Sequence, residues 1–352
     1  MKRRITTAIS LLTCTFLVFV TLKSTTDIPV IAQVTEPTDV PIPHAEEIAI
    51  PALSLLFVGD IMLGRVVETL MNRNGLLYPF QGIQELLLEP NITIGNFEGV
   101  VTPVHEHAKP MTFAFSIKDS FLEHLSTVGF DILSLANNHS NDYGPSARAY
   151  MRSRCDVYKI NCIGVPTGLD ETSTFVQKID GRRVGFIFIH TLYGEPDENK
   201  LRELTFKLSA ESDVQIAYVH WGEEYELSHN RNQEAFAETL IDSGLDAVIG
   251  HHPHVVQDIA LYKGKPIFYS LGNFIFDQYF SDAVTQMIAL SMNIGVDTIT
   301  YDIVPLTSKT TRSQPHLMED AEGKLLFSRI FNGILQNQGV NAQDGQIVVS
   351  LR

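Results

Sequence analysis

Cysteine is scarce, with 3 residues in 352, and so few exclude a scaffold built on disulfides. Basic side chains are also few: 26 Lys and Arg stand against 41 Asp and Glu, a net charge of −15 with histidine neutral. That field repels phosphate backbones, so nucleic acid is not an expected partner. No apolar run beyond the first reaches membrane-spanning length, which excludes a multi-span transporter. What is present is 44% apolar against 19% charged residues, enough for a sizeable core. The length suits one large or two modest domains.

Lys2, Arg3 and Arg4 precede an apolar stretch from Ile5 to Leu22, closed by Lys23. As a helix this stretch spans roughly 27 Å, close to a hydrocarbon core. It is either an uncleaved anchor or a signal peptide cut after Val30-Ile31-Ala32, although that site lies far beyond the apolar run. Both readings export the body, as an extracytoplasmic domain held at the membrane or as a secreted one. The first 32 residues hold four of the basic and one of the acidic residues, so the remainder carries −18. The expected organisation is a signal or anchor segment (1–23), a Pro-rich linker (24–52), a main domain (53–310) and a peripheral C-terminal segment (311–352). Cys155 and Cys162 can pair in an oxidising compartment; two buried thiols are the simpler expectation.

From Leu53 onward, short apolar runs alternate with helical patterns. Strands are expected at 53–58, 92–95, 131–135, 161–165, 184–190, 214–220, 247–250 and 266–270. Helices are expected at 118–128 and 231–243, the second closed by Gly244. Asp180-Gly181 between apolar runs reads as a hairpin turn. The alternation predicts an α/β fold around one central, partly mixed sheet.

In α/β sheets, ligands bind beyond the carboxyl ends of the strands. Polar clusters recur at such ends: Gly59-Asp60, Asn96-Phe97-Glu98, Asn137-Asn138-His139 with Asp142, His220-Trp221-Gly222-Glu223, His251-His252-Pro253-His254 and Ser270-Leu271-Gly272-Asn273. Each has a plain structural explanation taken singly. Asp60 can cap a helix, His220 can be a core histidine, and Glu223, Glu224 and Glu226 can form a solvated loop. Together they offer carboxylate, amide and imidazole, the donor set for a divalent ion such as Mn²⁺, Zn²⁺ or Fe²⁺. His252 and His254 alternate on an extended segment, so both can face one side with His251 turned away. His105 and His107 read as surface residues.

In their order along the chain, Gly-Asp-Ile-Met-Leu-Gly-Arg (59–65), Asn-Phe-Glu (96–98), Ala-Asn-Asn-His-Ser-Asn-Asp-Tyr-Gly (136–144), His-Trp-Gly-Glu-Glu-Tyr (220–225), Gly-His-His-Pro-His-Val-Val-Gln (250–257) and Tyr-Ser-Leu-Gly-Asn-Phe (269–274) resemble the motifs of the CapA/PgsA capsule-synthesis family associated with poly-γ-glutamate. The similarity covers residues 54–280. The family is similar in turn to the calcineurin-like metallophosphoesterases, which implies a four-layer α/β sandwich. It implies metal ligation by Asp60, Glu98, Asn138, His220, His252 and His254, with His139 as proton donor. Catalysis is expected of His139 and Asp142, and substrate contact of Asn96, Arg65 and Asn273. Two departures stand out: Met62 replaces a ligating histidine, and Asn96 with Glu98 replaces a bridging aspartate motif.

The resemblance implies an exported, membrane-associated protein acting in the synthesis, retention or processing of an anionic envelope polymer such as poly-γ-glutamate, through a hydrolase-type site or beside membrane synthase subunits. Other readings are a metal-dependent phosphoesterase and a non-catalytic accessory subunit for polymer export. Since the acidic body repels a polyanion, Arg65, Lys109, Arg148 and Arg231 are candidate local contacts.

Overall fold

A computed structural model describes residues 52–105, 113–332 and 339–351. The signal or anchor segment, nearly all of the linker, His107 and Lys109 lie outside these residues. Among the described residues no helix is long and apolar enough to cross a membrane.

The first strand explains the layering. In β1 (Leu53–Ile61), Leu53, Leu55 and Phe57 face one way while Leu56 and Val58 face the other, and all are buried. A strand apolar on both faces needs cover on both. Helices cover one side: Val67 and Met71 of α1 (Arg65–Asn74), Phe121, Leu122 and Leu125 of α2 (Asp119–Thr127), and Ala147 and Met151 of α3 (Gly144–Tyr158) share a core with Leu56 and Val58. On the other side Leu55 and Phe57 share a core with Phe186, Phe188, Ile216, Tyr218 and Ile249, which belong to a second sheet.

The fold is thus mixed α/β, and its strands divide into two large sheets instead of the single one the alternation predicts. In the first, β1 pairs in parallel with β2 (Ile92–Phe97), which pairs in parallel with β3 (Ile132–Ser134). In the second, β4 (Arg182–His190), β5 (Val214–His220) and β6 (Ala247–His251) run parallel. Asp180-Gly181 turns the strand Thr174–Ile179 back onto β4, as expected. The first sheet also takes β7 (Asn273–Ile275), parallel to the end of β1, and the antiparallel β8 (Gln286–Ile294) and β9 (Thr298–Thr307). Helices α4 (Glu198–Glu211) and α5 (Arg231–Asp242) cover the outer face of the second sheet. The side chain of Asn230 caps α5, accepting from the amides of Asn232 and Gln233 at 3.0 Å.

Two further expectations meet a different outcome. Cys155 and Cys162 form a disulfide rather than two thiols, joining α3 to the strand Asn161–Ile163. The segment after residue 310 places Gln346–Ser350 beside β9, at the outer side of the first sheet, yet buries Ile330 and Ile347 in the core between the sheets.

Candidate metal centre

Parallel register delivers the polar groups to one rim. Asp60 is level with Asn96 on one side and Asn273 on the other. In the second sheet His190, His220 and His251 end their strands side by side. Gly59 makes room for β7: a Cβ there would overlap the Gly272 carbonyl oxygen, which accepts from the Asp60 amide at 3.0 Å. The Tyr218 hydroxyl donates to the Val58 carbonyl at 3.3 Å and its ring stacks on His251 at 4.2 Å, joining the two sheets at this end.

Two carboxylates sit at the centre, both fully buried. Asn96 Nδ2 donates to Asp60 Oδ1 at 2.8 Å and to Glu98 Oε1 at 3.1 Å. His251 Nδ1 lies 3.3 Å from Asp60 Oδ1, and His254 Nδ1 lies 3.1 Å from Asp60 Oδ2. Glu98 is 4.0 Å from both His139 Nε2 and His220 Nδ1. His220 Nε2–H donates to Asn138 Oδ1 at 2.9 Å, which leaves Nδ1 without a proton, 3.1 Å from Asn96 Nδ2. The His252 ring is 4.8 Å from that of His220. The side chains of Asp60, Glu98, Asn138, His139, His220, His252 and His254 therefore adjoin one another.

This cluster fits a divalent ion. Asp60 Oδ2, Glu98 Oε2 and His252 Nδ1 are buried and make no aligned hydrogen bond. Unsatisfied polar atoms of this kind cost about 1–3 kcal/mol each, more when charged. Donors of Asp60, Glu98 and His254 all lie within 4.8 Å of one another, as do donors of Glu224, His252 and His254, and carboxylate with imidazole suits borderline ions.

Electrostatics separates the two carboxylates. Burial opposes ionisation of Asp60, but its contacts with His251 and His254 outweigh that and hold it well below the usual carboxylate range. Burial and the neighbouring Asp60 charge push Glu98 well above that range. Burial lowers His252 to about 3, with His254 adding to the effect, and drives His220 down as well. Burial also acts against the charged form of His254, yet Glu98 and Asp60 prevail and raise it to about 9.

His139 occupies the edge of the cluster. Its Nδ1–H donates to Asp142 Oδ2 at 3.0 Å. The Phe115 amide donates to that same oxygen at 2.8 Å, and the Phe115 ring stacks on the imidazole at 4.0 Å. One residue thus fixes both halves of the pair, and Nε2 accepts from Asn138 Nδ2 at 3.2 Å with Glu98 beyond it at 4.0 Å.

The three residues expected to meet substrate are all engaged inside the protein. The Asn96 amide is committed to Asp60, Glu98 and His220. Asn273 Oδ1 accepts from His254 Nδ1 at 3.0 Å, and its Nδ2 donates to Gln278 at 2.9 Å. The Arg65 guanidinium is paired with Asp277 and stacked over Phe115, 4.7 Å from the ring centre. Of the other named cations, Arg148 is half-buried and Arg231 exposed.

Several expectations require correction. His252 and His254 are not on an extended strand; their φ angles are 98° and 58°. The chain turns at both, while His251 ends β6 on the same face as Ala247 and Ile249 and so faces Asp60 instead of pointing away. Met62 is buried, and its sulfur accepts from the Gly64 amide at 3.0 Å. His105 is not a free surface residue: Nε2 meets Glu68 at 3.1 Å and Nδ1 meets Ser116 at 3.0 Å. His190 was legible in principle, since it ends its strand as His220 does. Its Nδ1–H donates to the Pro166 carbonyl at 2.5 Å and its ring is 5.4 Å from His220.

Comparison with known proteins adds to this geometry. The family model described as bacterial capsule synthesis protein PGA_cap matches residues 54–278. The capsule biosynthesis protein CapA of Bacillus anthracis is 30% identical over 296 residues, spanning 78% of this chain and 71% of that protein. The PGA biosynthesis protein CapA of Bacillus subtilis (strain 168) is 30% identical over 243 residues, 64% of each. Among solved structures, a phosphatase from Mycoplasma pneumoniae overlaps with a TM-score of 0.44 at 13% identity, over 73% of this chain and 88% of that one. That overlap is too loose to bear on the chemistry of the site.

Proposed function

Given that this chain belongs to the bacterial capsule synthesis protein family, we propose that it is an exported, membrane-held protein that hydrolyses an anionic capsule polymer of the poly-γ-glutamate type at a divalent-metal site. One observation carries the metal reading. Asp60 and Glu98 are two adjacent, fully buried carboxylates with oxygens left unsatisfied among several imidazoles. Two carboxylates this close disfavour each other's ionisation, as the upward push of burial and Asp60 on Glu98 shows, and a bound cation relieves that.

Asp60, Glu98, Asn138, His220, His252 and His254 would hold the ion, which when bound polarises a carbonyl or phosphoryl oxygen and acidifies water. Asn96 orients both carboxylates, since a single amide group donates to each. Asp142 holds the proton on His139 Nδ1 and thereby aims Nε2 at the cluster, where a protonated ring gives its proton to the leaving atom. Phe115 restrains that ring from turning. Export is supported by the Cys155–Cys162 disulfide, a bond that persists in oxidising compartments, and by the basic-flanked apolar segment at 5–22. Membrane synthase subunits are the proposed neighbours.

Phosphoester cleavage is the second reading, favoured by the His139–Asp142 pair beside carboxylate ligands. The experiment separates them. The purified full chain is incubated with Mn²⁺ and either long poly-γ-glutamate or a nitrophenyl phosphodiester. Shortening of the polymer, lost in His139→Ala and in His252→Ala, is the expected result. Turnover of the phosphodiester alone would favour the second reading. If neither substrate is cleaved while both variants support capsule formation in cells, the protein is an accessory subunit and the hydrolytic proposal is wrong.

A further inference from the structure

The loop after β5 lies against the His252-Pro253-His254 turn and is tied to it at both ends. The Trp221 amide donates to the His251 carbonyl at 3.1 Å, and the Tyr225 amide donates to the Pro253 carbonyl at 2.8 Å. Glu224 falls between these ties. Its carboxylate is exposed to solvent, yet a donor oxygen lies within 4.8 Å of donor nitrogens on His252 and His254. Tyr225, His252 and His254 all have positive φ, at 69°, 98° and 58°. Such conformations cost about 1–2 kcal/mol per non-glycine residue.

We propose that Glu224 is a metal ligand, completing with His252 and His254 an ion position at the mouth of the cluster. The reading rests on the metal-site proposal above and extends it to a residue of the rim. Two independent features support it. His252 is buried, only 6% exposed, and its Nδ1 has no hydrogen-bond partner. His254 directs Nδ1 to Asn273 Oδ1 at 3.0 Å and to Asp60 Oδ2 at 3.1 Å. A ligating histidine is usually held in this way through the ring nitrogen that does not bind the ion, and Nε2 is then left for it. Glu224 supplies a third donor, which Met62 does not, because its sulfur is turned to the Gly64 amide. An exposed carboxylate beside two buried imidazoles also gives the ion a route from solvent.

The test is Mn²⁺ binding to the full chain, followed by calorimetry and by the Mn²⁺ electron-spin resonance signal, for the parent protein, Glu224→Gln and Glu223→Gln. The expected result is at least tenfold weaker binding, or loss of one bound ion, in Glu224→Gln, with Glu223→Gln matching the parent. Thermal melting of both ion-free variants at the parent temperature shows that the fold is intact. Equal weakening by both substitutions would assign the effect to general charge and overturn the proposal. Unchanged binding in Glu224→Gln overturns it while leaving the inner site standing. If the parent binds no Mn²⁺ at all, the metal-site reading itself fails.

Discussion

His254 shows how a single side chain registers its surroundings. Burial disfavours its charged form, but Glu98 and Asp60 raise it to about 9. Below that value the ring is protonated in the ion-free protein, and ligation must displace the proton. Mn²⁺ affinity is therefore predicted to tighten by about tenfold per pH unit from 7 to 9 and then level off, as calorimetry across pH would show. Affinity that is flat over that range would mean His254 is not a ligand. Much of the site is legible at this scale. Asp60, Asn138, His139 and His220 each follow an apolar run, and strand ends are where ligands gather. His251 was misplaced for a simpler reason: it is the last residue of β6, so it falls on the same face as Ala247 and Ile249, which line the core between the sheets. The internal commitments of Asn96, Arg65 and Asn273 were hidden for another reason: their partners lie 36, 212 and 19 residues away.

At the scale of elements, the eight expected strands all fall on strands, and Val214–His220 keeps both of its expected bounds, but the long Gln286–Ile294 and Thr298–Thr307 were not among them. The apolar runs did not reveal that the strands divide between two sheets, because Phe186 and Phe57 meet only across the interior and nothing in either run encodes the partner. The disulfide belongs to this scale too. It closes a short loop, seven residues apart in sequence, between the last turn of α3 and Asn161–Ile163. Loop-closure entropy for so short a span gives roughly 2 kcal/mol. Cys155→Ser with Cys162→Ser is predicted to lower the melting temperature by about 5 °C, and treatment with a reductant should do the same to the parent. A melting temperature that neither change moves would show that the bond carries no stability.

For the molecule as a whole, two sheets share one core and set their carboxyl ends at a common rim, where Tyr218 reaches from one sheet to the other. The net charge of −15 keeps a polyanion at a distance on average, so under the proposed function recognition of the polymer would come from the site itself. Screening over about 8 Å at physiological ionic strength makes the general repulsion tolerable. The most direct measurement is an anomalous-difference map, recorded at the manganese edge, from crystals of the protein grown with Mn²⁺. A peak at about 2.0–2.2 Å from oxygens of Asp60 and Glu98 and from an imidazole nitrogen is the predicted result. Saturating Mn²⁺ with no density between those carboxylates would contradict it.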